Sequence, residues 1–242
     1  MHKNVEKMSI NYSPNFDLNK RTSSKVKYLI FHYTGMRSEN AAIKRLTSKS
    51  SKVSCHYLIK KNGAIIKIVP DLYIAWHAGI SSWKKDKSLN SNSIGIEISN
   101  PGHDYKYKNF SQKQITSIID LSKNLKKKYK IKKENILGHS DIAPLRKKDP
   151  GEKFPWKLLN KKKICLWHNL SEKNCKKLRG IKLNDSNNFF HLLFKFGYKF
   201  SNDDNEKIII YKNFQRRFRP QLISSIVDEE SYAILKSLIS LN

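Results

Sequence analysis

Between residues 25 and 138 the chain alternates strand-like and helix-like patterns, which restricts it to a sheet with helices packed on its faces. KVKYLIFHYTG (25–35) is an apolar, β-branched and aromatic run ended by Gly35, and it reads as a buried strand with His32 at its C-terminal edge. SENAAIKRL (38–46) follows, with Ser38 as the N-cap of a helix. CHYLIKKNGAIIKIV (55–69) sets Asn62-Gly63 between two apolar runs, a strong hairpin signal. NSIGIEIS (92–99) alternates Ile94, Ile96 and Ile98 with Gly95, Glu97 and Ser99, so one face is apolar and the other carries a single carboxylate. SQKQITSIIDLSKNLKKKY (111–129) has Ser111 and Gln114 in capping-box spacing, and Ile115, Ile118, Ile119 and Leu125 fall on one side of a helix. NILG (135–138) is a further short strand. The predicted fold class is α/β, a mixed central sheet flanked by helices.

Beyond Trp156 the texture changes. Residues 160–184 read as a linker or peripheral helix, and 185–242 hold three apolar-periodic segments, FFHLLFKFGY, KIIIYKNFQRRF and SYAILKSLI. They predict a small all-α C-terminal domain of three helices. A unit of about 60 residues buries too little surface to be secure alone, so it is expected to pack on the larger domain. Residues 1–21 are set apart as an N-terminal extension.

With 38% hydrophobic and 11% aromatic residues the composition is that of a folded globular protein. The formal charge of +28 attracts polyanions, including anionic envelope polymers, but the lysines are scattered and no nucleic-acid recognition module accompanies them, so no specific nucleic-acid partner is expected. Cys55, Cys165 and Cys175 form no CxxC pair and read as small buried hydrophobes. No apolar run reaches transmembrane length, and the first residues lack the apolar core of a signal peptide, which points to the cytoplasm.

The chemistry concentrates at strand ends, where side chains share a rim. His32 ends one strand, His139 follows another, and Asp149 lies ten residues further on, in a loop stiffened by Pro144 and Pro150. Two imidazoles and a carboxylate form a three-ligand set for Zn²⁺ with a fourth position open to water, and the same set suits iron(II). A water activated in this way needs a base and a cation for the oxyanion. Glu97, alone on its strand face, is the candidate base, and Lys147, two residues before Asp149, the candidate cation. Their plainer readings are a solvent-facing strand residue and one more surface lysine. Asp141 reads as a loop-orienting hydrogen-bond acceptor.

FHYTG, SCHYLI, AWHAG, LNSNSIGIEISNPG and GHSDIAPLRKKDPG followed by FPW resemble, in order and spacing, the zinc-dependent type-2 N-acetylmuramoyl-L-alanine amidases of the AmpD/AmiD kind, related to peptidoglycan recognition proteins. The resemblance runs over residues 22–160. It implies a Zn²⁺ hydrolase that cuts the amide between the lactyl group of N-acetylmuramic acid and L-alanine in peptidoglycan or muropeptides. It implies His32, His139 and Asp149 as metal ligands, Glu97 as general base and Lys147 as oxyanion stabiliser. It places His77 at a substrate-cleft position, with Trp76 and Asn90 as candidate contacts to sugar or peptide and a packing role as the alternative for each, while His56 is expected to be a satisfied core or cleft histidine. Leu145 departs from the resemblance, standing where its members often carry glycine.

LLFKFGY, FQRRFRP and DEESYAIL are similar to the three-helix peptidoglycan-binding module often fused to such amidases, with QLISSIV in place of its glycine-rich turn. A wall-binding module implies the periplasm or cell envelope, in tension with the missing signal segment. A peptidoglycan-binding protein without catalysis, or a basic polyanion binder, are the competing functions.

Overall fold

The computed structural model describes residues 9–241; residues 1–8 of the expected extension, including His2, lie outside them. In chain order the elements are β1 (Ser9–Ile10), β2 (Phe16–Asp17), β3 (Tyr28–Tyr33), α1 (Glu39–Thr47), β4 (Tyr57–Ile59), β5 (Ile65–Lys67), β6 (Ile74–Ala75), β7 (Ser82–Trp83), β8 (Asp86–Lys87) and β9 (Ser93–Ile98). Then come α2 (Gln112–Tyr129), β10 (Ile136–Gly138), α3 (His139–Ile142), α4 (Trp156–Lys161), α5 (Glu172–Leu178), α6 (Ser186–Phe196), α7 (Asp204–Phe218) and α8 (Glu229–Ser240). No helix among the described residues is long and apolar enough to cross a membrane.

Six strands form one mixed sheet in the order β1-β5-β4-β9-β3-β10, antiparallel only between β4 and β5. The β4–β5 pair is the hairpin announced by Asn62-Gly63. Gly63 takes φ +84°, and an added Cβ would lie 2.8 Å from the Lys113 carbonyl oxygen, so the turn also lets α2 approach. The central strands are covered on both faces, with Leu29, Ile30, Phe31, Ile94, Ile96 and Ile98 fully buried.

Helix α2 begins with the predicted capping box, Ser111 Oγ accepting from Gln114 N–H and Gln114 Oε1 from Ser111 N–H. Its Ile118, Leu121 and Leu125 enter the core that contains Tyr57 and Ile59, while α1 contributes Leu46 to a smaller cluster with Leu58 and Ile66. Residues on alternate sides of β4 therefore meet different helices, which makes the sheet the middle layer.

Residues 9–21, set apart as an extension by sequence, are part of the fold. β1 pairs with β5, β2 with β6, and the buried Arg21 guanidinium donates to the Asp71 carbonyl at 2.8 Å. Two-residue strands carry no periodicity from which pairing could be read.

The C-terminal helices share the main core. Trp83, 1% exposed, packs edge-on against Phe196 and Tyr198. Gly197 sits beneath the indole, where an added Cβ would come within 2.8 Å of its ring. Helix α5, within the expected linker, packs on α8. All three cysteines are buried and free.

Asp71 pins the end of α2 to the sheet. Its carboxylate accepts from the hydroxyls of Tyr57 and Tyr129 and from Lys128 Nζ at 2.8 Å. Burial alone would raise its pKa, but these donors hold it well below the usual carboxylate range. A depressed folded-state pKa gives stability that is present above the unfolded value near 3.9 and lost as pH falls through the folded one. Asp71→Asn is therefore expected to lose about 2–4 kcal/mol in urea unfolding at pH 7, with the gap to wild type closing in strong acid. Equal urea midpoints at pH 7 would contradict this role.

Candidate active site

Strands β4, β9, β3 and β10 run parallel, so their C-terminal ends form one rim, the usual place for a site in such sheets. Glu97 on β9 is the register partner of His32 on β3 and of Leu58 on β4, which puts the carboxylate and the imidazole side by side on one face. His139 follows β10 directly as the first residue of α3, and Asp149 returns to the same rim. Ser140 N–H donates to the Asp149 carbonyl at 2.8 Å and ties the two ends of the intervening loop together.

His32 Nδ1, His139 Nδ1 and Asp149 Oδ2 converge, 2.9, 3.2 and 3.1 Å apart. Bonds of about 2.0–2.1 Å to a tetrahedral Zn²⁺ set ligand atoms roughly 3.3 Å apart, so the three atoms approximate one face of such a site. The residues thus fit a metal held by two neutral imidazoles and one carboxylate.

The hydrogen-bond network fixes both tautomers. His139 Nε2 faces the Ala78 carbonyl at 3.2 Å, which can only accept, so Nε2 carries the proton and Nδ1 offers a lone pair. For His32 the constraint arrives through a relay. Ser93 Oγ gives its one proton to the Leu89 carbonyl at 2.5 Å, so it accepts from His77 Nε2 at 3.2 Å. His77 Nδ1 then accepts from His32 Nε2 at 3.0 Å, leaving the His32 Nδ1 lone pair facing His139 Nδ1 and Asp149 Oδ2 at the candidate metal position. Burial, then the neighbouring His139, lower the His32 pKa to about 4, which keeps the ring neutral. Burial alone would raise the Asp149 pKa, but the two imidazoles hold it well below the usual range.

Glu97 is half-buried, and its Oε2 has no hydrogen-bond partner among the described residues. Burial first, then the Asp149 carboxylate, push its pKa up to about 8, while Lys147 pulls it down. Lys147 is half-buried and lines the same cleft. The cleft, about 1380 Å³, is also lined by Trp76, His77, His139 and Asp149 and by six further cations, Arg37, Arg45, Arg146, Lys148, Lys212 and Arg216.

The three residues expected to contact substrate divide. Trp76 lines the cleft, and its indole N–H donates to Asp17 Oδ1 at 2.8 Å. His77 borders the cleft, but both of its ring nitrogens are engaged in the relay behind His32. Asn90 turns its side-chain oxygen to the N–H groups of His77 and Ala78, at 3.0 and 2.7 Å, and braces the loop that carries them. Sequence left a packing role open for Asn90 but did not identify its partners, which lie 12 or 13 residues away without periodicity. His56 is a satisfied core residue: Nδ1 accepts from Gly95 N–H, and Nε2 donates to the Tyr73 carbonyl.

Sequence reasoning missed Gly95. A Cβ there would fall 2.4 Å from His77 Cγ, so the glycine makes room for the relay. A glycine inside a β-branched strand was the available signal of a close approach. Also missed was a cluster at the cleft mouth, where His103 meets the Tyr33 hydroxyl at 2.9 Å and Glu152 at 3.0 Å. Leu145 is absent from the positive-φ residues and packs on the core, so its side chain adds no strain.

Residues 22–152 match the family model described as N-acetylmuramoyl-L-alanine amidase. The chain is 36% identical over 232 residues to N-acetylmuramoyl-L-alanine amidase AmiD of Escherichia coli, covering 89% of this chain and 83% of the relative. It is 40% identical over 106 residues to the 1,6-anhydro-N-acetylmuramyl-L-alanine amidase AmpD of Haemophilus influenzae, covering 43% of this chain and 55% of that one. The fold superposes with a TM-score of 0.81, at 34% identity and 90% of each chain, on E. coli AmiD in complex with the substrate anhydro-N-acetylmuramic acid-L-Ala-D-gamma-Glu-L-Lys. Likeness along nearly the whole chain, together with a shared fold, makes this protein a member of the N-acetylmuramoyl-L-alanine amidase family.

Proposed function

We propose that this amidase uses one Zn²⁺, held by His32, His139 and Asp149, with Glu97 as general base and Lys147 as the cation for the oxyanion. Its substrate is the amide between N-acetylmuramic acid, intact or in the 1,6-anhydro form, and L-alanine in peptidoglycan or muropeptides. The observation that carries the reading is the convergence of two imidazole lone pairs and a carboxylate on the rim that also holds the Glu97 carboxylate, whose Oε2 has no partner among the described residues. Bound Zn²⁺ would supply Lewis-acid polarisation of the scissile carbonyl and acidify water.

Glu97 takes a proton from the attacking water as the new C–O bond forms. Lys147 neutralises the charge that develops on the carbonyl oxygen. Glu97 then returns its proton to the alanine nitrogen as the C–N bond breaks, leaving a lactyl carboxylate and a free amine. The cationic cleft supports a carboxylate-bearing stem peptide as the other half of the ligand. The C-terminal helices retain a wall-binding role in this reading, and envelope polymers are the polyanions that the +28 charge would meet.

Exhaustive chelation should abolish release of peptide from muropeptide, and Zn²⁺ should restore it. Asp149→Ala should lose stoichiometric zinc. Full activity after chelation would overturn the reading. Glu97→Gln should keep its zinc while kcat falls by about 10²–10⁴-fold, read by metal analysis beside steady-state kinetics. If the cleft cations grip stem-peptide carboxylates, KM should rise with ionic strength while kcat holds; a salt-independent KM counts against that contact.

A further inference from the structure

Asn213, Arg216 and Arg217 stand three and four residues apart on α7, so they share one side of the helix. All three reach out of the C-terminal helices into segment 138–152, which carries His139, Lys147 and Asp149. Arg217, 3% exposed, donates through Nη1 to the Asp141 carboxylate and through Nη2 to the Ile136 carbonyl at 2.9 Å, its guanidinium lying over the Trp156 ring. Asp141 also accepts from Gly138 N–H at 2.7 Å and from the Tyr198 hydroxyl at 2.6 Å. The turn that presents His139 is thereby bound to α7 through one carboxylate.

The far side of the loop is held as well. Asn213, 1% exposed, donates its side-chain amide to the carbonyls of Pro144 at 2.7 Å and Lys147 at 3.2 Å. Arg216 Nη1 donates to Asn213 Oδ1 at 3.0 Å, and its Nε lies 3.6 Å from the Glu152 carboxylate beyond Asp149. Beyond the four residues of α3, the loop up to Asp149 contains no helix or strand. Its functional groups must nevertheless hold within roughly 0.5 Å of a working geometry.

A buried ion pair is poor evidence of added stability, because apolar residues of similar size commonly serve as well. Its geometric specificity is what apolar packing would not supply here. We propose that α7 is a positioning element for the catalytic loop, with Asn213 and Arg217 holding the backbone that aims His139, Lys147 and Asp149. The C-terminal helices thus set turnover and metal affinity in addition to any contact with polymer. This rests on the zinc amidase reading above.

The test compares full-length Asn213→Ala with Ser231→Ala, which disturbs the network that Tyr211 and Arg219 form inside the C-terminal helices. Zinc affinity is measured by chelator competition, turnover on soluble muropeptide, and folding by thermal melts. Asn213→Ala should weaken zinc binding by about 10–100-fold, as loss of support behind metal ligands does. It should lower kcat with KM within about twofold, whereas Ser231→Ala with a similar melting shift should change neither. Arg217→Lys, which keeps a charge for Asp141, should retain more turnover than Arg217→Met. Unchanged zinc affinity and kcat in folded Asn213→Ala, or equal losses in Ser231→Ala, would overturn the proposal. A wild-type protein that binds no zinc would instead overturn the metal reading, and turnover in the Asn213 variant would still decide this one.

Discussion

Three lone-pair donors held about 3 Å apart in a buried site repel one another, and much of the structure answers that one constraint. Each imidazole must be neutral, in a single tautomer and unable to rotate away. The Ala78 carbonyl does this for His139, and the chain Leu89, Ser93, His77 does it for His32. The relay works only because Gly95 leaves space above its strand and Asn90 holds the loop on which His77 rides. A site that looks like three residues is thus closer to nine.

The sheet and the helices contribute different kinds of precision. Parallel pairing of β3 with β9 sets His32 against Glu97 by backbone register, which a mutation outside the strands scarcely alters. The segment after β10 has no such register. It is held from within by the backbone bond of Ser140 N–H to the Asp149 carbonyl and from outside by side chains of α7. Cleft wall and loop support converge on α7, since Lys212 and Arg216 line the space into which Lys147 also faces. The shared core through Trp83 and Gly197 keeps that helix in place.

Features carried by short-range patterns were legible before the structure. The Ser111–Gln114 box, the Asn62-Gly63 turn, the β3 and β9 runs and the grouping of His32, His139 and Asp149 at strand ends all rest on neighbours within a few residues or on motif spacing. The roles of His77 and Asn90 were not, because the competing partners are fixed by how a loop crosses the sheet. The pairing of residues 9–17 was hidden for a related reason: two-residue strands owe their existence to the edge they join.

The sequence by itself determined the layered α/β class, which local period encodes directly, and it nominated His32, His139 and Asp149 as a ligand group with Glu97 and Lys147 as candidate base and cation, through residue type and motif spacing. Only the tertiary structure decided which ring nitrogen of each histidine faces the shared point with Asp149, that His77 stands behind His32, and that α7 grips the 138–152 segment. Apart from the local Ser93–Leu89 bond, those outcomes depend on hydrogen bonds between groups 16 to 81 residues apart. Such bonds leave no periodic trace in a chain and exist only once the core has brought their partners into reach.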